Sequence, residues 1–141
     1  MYFEEKEQLN NEEEIMVTRG YAEAGSLQGF SFGNKQDIAL TAYVDQNLIA
    51  AAEGTIIFDW LSINRLWVDE NFRRQKLGTQ LVAELEKIAK ERGCLGCYLN
   101  TFDFQAQAFY EKLGYSTFGI LEDCPIGHKR YFMQKKLVET L

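Results

Sequence analysis

The run Arg73-Arg74-Gln75-Lys76-Leu77-Gly78-Thr79 carries the densest chemistry in the chain. It follows the apolar stretch Leu66-Trp67-Val68 and leads into leucines at helical spacing, so it reads as a strand end, a polar turn and a helix start. Arg73, Arg74 and Lys76 fall in that turn and the first helical turn. The dipole at a helix N-terminus favours anions, and the first backbone N–H groups there have no partner within the helix. Cations in this place, beside free N–H groups, make a phosphate site, with a solvated basic turn as the alternative.

Two pieces of the sequence resemble one family. Arg73 to Gly78 is similar to the Gln/Arg-x-x-Gly-x-Gly/Ala pyrophosphate loop of the GNAT acyl-CoA N-acyltransferases, with Lys76 in place of the middle glycine. Ala106-Gln107-Ala108-Phe109-Tyr110-Glu111-Lys112-Leu113-Gly114-Tyr115 resembles that family's Ala-x-x-Phe/Leu-Tyr-Glu-Lys-x-Gly-Phe/Tyr segment. The matched region runs from about Ser62 to Tyr115. Lys76 is compatible with the loop if its φ stays negative and its N–H faces the anion.

The resemblance implies acetyl-CoA as co-substrate and direct transfer of the acetyl group to a primary amine. Its cofactor contacts would be Leu66, Trp67, Val68, Arg73, Arg74, Gln75, Lys76, Leu77, Gly78, Thr79, Asn100, Asp103 and Ala106. The strand end Leu66–Val68 would supply the backbone N–H that polarises the thioester carbonyl. Asp103 stands where the family usually has an asparagine, and Tyr110 stands where the family places a tyrosine acting on the departing thiolate. Ser62 occupies the position of the family's frequent glutamate base. Glu53, Asp59, Glu122, Asp123 and His128 remain as candidate bases, with water-mediated deprotonation as another route. Imidazole is the side chain whose reference pKa lies near neutrality, but His128 follows a Pro-x-Gly turn and is expected to serve in turn hydrogen bonding.

Length and composition set the frame around these residues. The 141 residues suffice for one domain with a full core, residues 1–141, without disulfides. A formal charge of −6 argues against nucleic acid as a partner and favours encounter with small cations. No apolar run approaches membrane-spanning length, and the acidic start lacks signal-peptide character, so a cytoplasmic location without a membrane partner is expected. Cys94 and Cys97 have C-x-x-C spacing but follow a helix instead of opening one. They are expected to be reduced, buried thiols, and no metal site is expected. The acceptor is a small-molecule or protein amine, and a homodimer is compatible with the family.

The elements that position the chemistry follow from periodicity. Glu12–Glu14 opens a helix through Ile15, Met16 and Tyr21 that Gly20 should keep short or bent, and Gly25–Asn34 reads as a loop. Phe30 and Phe32 are expected to fill core beneath that loop or to line a substrate pocket. Ile38–Val44, Leu48–Phe58 and Leu61–Val68 alternate as strands of an antiparallel meander, with Gly54 marking a bulge or close approach. A helix from Leu77 ends at Gly93, with Glu86 and Lys90 as an i,i+4 pair. A strand from Leu95 to Thr101, a helix from about Phe104 to Leu113 and a hairpin of Tyr115–Leu121 with Arg130–Leu137 complete the chain. The fold expected is a mixed α/β sheet with an antiparallel start, a central parallel βαβ unit, a C-terminal hairpin and helices on both faces. The functional reading is an acyl-CoA-dependent N-acetyltransferase. The alternative is a CoA-binding sensor or catalytically silent partner protein that lacks a working base.

Overall fold

The computed structural model describes residues 1–31 and 34–139. They fall into two units, Met1–Lys35 and a second beginning at Gln36. The first unit is built around α1 (Asn11–Leu27). Asn10 and Glu13 form a reciprocal capping box, Glu12, Glu13 and Glu14 meet the dipole, and Lys6 Nζ donates to Glu13 Oε2 at 2.8 Å. These contacts offset the low helix propensity of Gly20, and the helix runs on through Gly25-Ser26-Leu27, which had been expected in the loop. Phe30 is exposed instead of filling core. Phe32, a candidate core or pocket residue, and Gly33 lie outside the described residues.

The second unit is a six-stranded sheet ordered β1-β2-β3-β4-β6-β5. Its strands are β1 (Gln36–Val44), β2 (Asn47–Ile57), β3 (Trp60–Val68), β4 (Gly96–Phe102), β5 (Ser116–Glu122) and β6 (Lys129–Lys136). Strands β1 to β3 form the antiparallel meander, through two-residue turns whose central residues, Asp45-Gln46 and Phe58-Asp59, all have positive φ. That is the turn geometry whose twist matches a hairpin. Between β3 and β4 run the turn Glu70–Phe72 and α2 (Leu77–Glu91), and β3 and β4 pair in parallel as the crossover requires. The helix α3 (Gln107–Lys112) is shorter than expected, because residues 103–106 turn before the helix begins.

Alternation along β4 separates two faces. Cys97, Leu99 and Thr101 are buried, whereas Tyr98 and Asn100 are exposed. Leu81, Val82, Leu85 and Ala89 of α2 and Tyr110 of α3 join the same core cluster as Leu61, Ile63, Leu99 and Met133, so both helices cover the same face. Leu61, Leu85 and Met133 are fully buried, and each contributes about 1.5–3 kcal/mol through removal of apolar surface from water. Glu86 does not pair with Lys90. It accepts from Tyr115 Oη at 2.7 Å and from Lys135 Nζ at 2.9 Å, its carboxylate partly buried against partners from the sheet side while Lys90 is exposed. Cys94 and Cys97 are buried free thiols, as expected, and burial pushes Cys97 up to about 12.

Two glycines hold the β2–β3–β4 junction. A Cβ on Gly96 would lie 2.6 Å from both the Lys135 carbonyl and the Trp60 ring, so only glycine fits where β4 starts. A Cβ on Gly54 would lie 2.8 Å from Leu61 Cδ1 and 3.0 Å from the Ser62 carbonyl. The β2–β3 register also slips there, Glu53 facing Arg65 while Gly54 faces Ile63, so Asn64 is the extra residue of a bulge.

Candidate active site

Strands β3 and β4 pair only at Trp60–Gly96, Leu61–Cys97 and Ser62–Tyr98. Both continue past this point, to Val68 and Phe102, without pairing to each other. Gly96 packed against Trp60 closes one end of the pair, and the bulge at Asn64 turns β3 away at the other. Past the bulge, the β3 backbone groups that would point at a neighbouring strand face open space. They can pair with any extended amide chain laid between the strands.

An inner chamber of ≈ 370 Å³ occupies this gap, lined by Ile63, Asn64, Arg65, Leu66, Trp67, Leu99, Asn100, Thr101, Gln105, Ala106 and Tyr110. An outer chamber of ≈ 760 Å³ shares Leu66, Trp67, Gln105 and Ala106 with it and extends along Val68, Arg73, Arg74, Lys76, Leu77, Gly78 and Thr79. Phe72, Phe104 and Phe109 close its walls. The two form one cleft running from the start of α2, through the gap between the strands, to Tyr110.

The start of α2 is arranged unlike that of α1. Its N-cap, Lys76, makes no side-chain cap bond, and its first turn carries no acid. Gln80 N–H reaches the Lys76 carbonyl, which leaves the N–H groups of Leu77, Gly78 and Thr79 at the mouth of the outer chamber. Lys76 has φ 61° and ψ 18°, and Arg74 has φ 65°. This corrects the expectation of a negative φ at Lys76: the turn keeps the left-handed backbone that glycine would adopt and imposes it on lysine. Arg73 also differs from a free phosphate ligand, since its Nε donates to the Val68 carbonyl at 3.1 Å and ties the turn back to β3. A Cβ on Gly78 would meet only Phe109 and Val68 at 3.5 Å or more, so the fold itself does not require glycine there.

Tyr110 is 6% exposed, and its ring meets Phe109 and Tyr115 edge-on at centroid separations of 5.0 and 5.6 Å. Burial alone pushes its phenol up to about 12, so the hydroxyl remains a donor throughout the ordinary pH range. Asn100 accepts from Arg130 Nε at 2.9 Å. Arg130 is held between aromatic rings, its guanidinium carbon 5.6 Å from the Phe102 centroid and 5.3 Å from that of Phe132.

Two residues expected to touch cofactor are placed elsewhere. Gln75 lies outside the lining of both chambers. Asp103 does too, because both of its oxygens are engaged, Oδ1 with His128 Nδ1 at 2.9 Å and Oδ2 with the Lys129 N–H at 3.0 Å. Partial desolvation of Asp103 works upward, but these hydrogen bonds outweigh it and hold the carboxyl below its usual range. The other expected residues, Leu66, Trp67, Val68, Arg73, Arg74, Lys76, Leu77, Gly78, Thr79, Asn100, Ala106 and Tyr110, all line the cleft. Sequence reading passed over Asn64, Gln105 and Phe104 as lining residues. The only local signal for Asn64 is its place after the bulge-marking Gly54.

The candidate bases separate by position. Asp59 sits at the closed end of the strand pair, where its carbonyl accepts from Leu95 N–H, away from the cleft. Glu53 is ion-paired with Arg65, whose hydrogen bond holds its carboxyl low. Ser62 Oγ donates to Asn64 Oδ1 at 2.8 Å, and Asn64 Nδ2 donates to Thr55 Oγ1 at 2.8 Å. Glu122 ends β5, and Asp123 and His128 belong to the turn that follows, at the same end of the sheet as the open mouth of the gap. Among the described residues, no aspartate or glutamate lines either chamber.

A mixed sheet opened between two parallel strands, with an uncapped helix start beside the opening, offers a groove for an extended ligand with an anionic end. The sequence pattern of the acetyltransferase (GNAT) family matches residues 4–115, and the chain belongs to that family. It is 38% identical over 85 residues to a blasticidin-S acetyltransferase of Streptomyces morookaense, covering 60% of this chain and 62% of that one, so it spans less than two thirds of that relative. An acetyltransferase of Agrobacterium fabrum is 30% identical over 114 residues, covering 80% of this chain and 83% of its own. The crystal structure of an acetyltransferase from Bacillus cereus has a TM-score of 0.81 at 32% identity, covering 96% of this chain and 99% of that chain.

Proposed function

We propose that this protein is an N-acetyltransferase that moves the acetyl group of acetyl-CoA to a primary amine within a ternary complex. The observation that carries this reading is the continuous cleft from the uncapped start of α2 to Tyr110. The pyrophosphate binds the N–H groups of Leu77, Gly78 and Thr79, with Arg74 and Lys76 adding charge. The pantetheine amides run along the open edge of β3 at Leu66–Val68, and Ala106 and Asn100 border their path. The neutral amine attacks the thioester carbon. A C–N bond forms, the C–S bond breaks, and the thiolate takes a proton from Tyr110, which is reprotonated from solvent as the amine's surplus proton leaves. We place the reaction in the cytoplasm and read residues 1–141 as a single catalytic domain; no helix among the described residues is long and apolar enough to cross a membrane.

The acceptor is a small-molecule amine. A relative named for acetylating blasticidin S supports that class, and an inner chamber of ≈ 370 Å³ agrees with it. The test is thiol release from acetyl-CoA across a panel of amines, alongside calorimetry with CoA. Micromolar CoA binding and amine-dependent thiol release are expected. Absence of CoA binding at millimolar concentration would overturn the reading. One observation favours a CoA-binding sensor instead, namely the lack of a lining carboxylate to act as base. CoA binding without turnover of any amine would select that alternative.

A further inference from the structure

The cleft has an electrostatic character opposite to that of the whole chain. Net charge is −6, yet the charged residues lining the two chambers are all cations. On the face of the sheet opposite the core, Arg65 lines the inner chamber and Arg130 is hydrogen-bonded to the lining residue Asn100. Arg65, on the β3 side, is neutralised by Glu53. Arg130, on the β4–β6 side, has no carboxylate partner among the described residues.

Arg130 is also fixed in place. It lies opposite Phe102, while Phe132 lies opposite Asn100, so all four side chains share one face. Its guanidinium packs on the Phe102 and Phe132 rings, and its Nε is held by Asn100 Oδ1, itself part of the inner chamber's wall. With Nε engaged, the two terminal nitrogens remain as a planar, pre-oriented fork. Such a fork matches a carboxylate in two-point geometry and loses little freedom on binding. A polycationic acceptor would meet this charge with no lining acid to offset it.

We propose that Arg130 determines acceptor specificity by binding a carboxylate near the reacting amine, so that the substrate class is amino-acid-like and not a polyamine. This rests on the acetyltransferase reading and adds the chemical identity of the acceptor to it. A merely structural Arg130, bridging β4 and β6 through its rings, would have no effect on acceptor choice.

The test uses the full chain with acetyl-CoA and amines matched with and without the carboxylate: L-phenylalanine against phenethylamine, L-tryptophan against tryptamine, and L-lysine against cadaverine. In at least one pair the acid should exceed its decarboxylated partner by about tenfold or more in kcat/KM, mainly through KM, as a charge-assisted pair provides. Arg130→Gln should erase that preference, bringing kcat/KM for the acid down to that for its decarboxylated partner, while calorimetry with CoA reads any effect passed on through Asn100 separately. Arg130→Lys, which keeps the charge but not the fork, should retain only part of it. Equal or better use of the decarboxylated partner in every pair would overturn the proposal, as would a preference that survives in Arg130→Gln. CoA binding with none of the acids accepted would overturn it too, whereas a parent chain that fails to bind CoA would defeat the acetyltransferase reading itself.

Discussion

Replacing Lys76 with glycine should move stability and cofactor affinity in opposite directions. Lys76 sits at φ 61° and ψ 18°, where a side chain crowds the following carbonyl at a cost of roughly 1–2 kcal/mol. Glycine escapes that cost but loses more freedom on folding, about 0.4–1 kcal/mol. The difference leaves a gain of about 0.5–1 kcal/mol. For a chain of this size that corresponds to a rise in Tm of roughly 2–4 °C. The same change removes a cation from the lining of the outer chamber, beside the free N–H groups of α2. At this exposed position a charge contributes up to about 1 kcal/mol to anion binding, so CoA affinity should fall about fivefold. Thermal unfolding of the free protein and calorimetry with CoA read the two effects separately. A lower Tm would show that the turn does not hold Lys76 in the left-handed region. An unchanged affinity would remove its ammonium from the phosphate site.

Gly78→Val should leave Tm within about 2 °C, since the added Cβ meets neighbours at ordinary contact distance, but the branched side chain fills the outer chamber and should weaken CoA binding at least about tenfold by calorimetry. Tyr110→Phe should lower kcat by about 10²-fold or more with little change in CoA affinity; because burial pushes the phenol up to about 12, the parent should show no loss of rate from Tyr110 ionisation below pH 10. One thiol, Cys124, should react quickly with a disulfide reagent at pH 8, whereas Cys94 and Cys97 should react only on unfolding. Burial raises Cys97 to about 12, so its contribution to stability is complete below the ordinary thiol range and is lost as pH climbs through that range toward 12; a urea series at pH 8 and 10.5 reads the slope. His128→Gln should keep most of the activity, since its Nδ1 is committed to Asp103, and a large fall in rate with loss of a pH-dependent limb would make His128 the base.

What the sequence made legible were features with a short period or a local signature. Leu77, Leu81, Leu85 and Ile88 at helical spacing placed α2, and alternation placed β1 to β3 to within a residue or two. Cations placed against the helix dipole mark the start of α2, which is uncapped in the fold. The full length of α1 was also within reach, because Asn10 and Glu13 have capping-box spacing, but Gly20 and Gly25 drew the reading toward a break. Other features had no local signal. Nothing about lysine announces a positive φ, and the turn that imposes it is fixed by Arg73 reaching back to Val68. Glu86 had Lys90 at helical spacing, yet Lys135, distant in sequence, lies closer in the fold. Asp103 was placed by family analogy with an asparagine, whereas its charge draws it to His128 and the Lys129 N–H, away from the cleft.

The missing glutamate at Ser62 is less of an obstacle than it looks from the sequence. A base is needed only to the extent that the bound amine remains protonated. A carboxylate in the cleft would stabilise the ammonium and raise its pKa, creating the need for a strong base to undo the effect. Among the described residues no carboxylate lines the cleft; Arg65 is already paired with Glu53, and Arg73, Arg74 and Lys76 lie at the outer end, beside the start of α2. Partial desolvation pushes a bound ammonium toward its neutral form, with no lining acid among the described residues to oppose it. The amine then needs no strong base, and water can take the proton. A carboxylate carried by the acceptor fits the same economy when it lies on Arg130. There its charge is neutralised by the guanidinium and does not stabilise the ammonium. Under this reading Ser62 is not a failed base. Its hydroxyl, bonded to Asn64, holds the bulge that opens the strands, and deprotonation falls to water in a cleft that does not stabilise the ammonium.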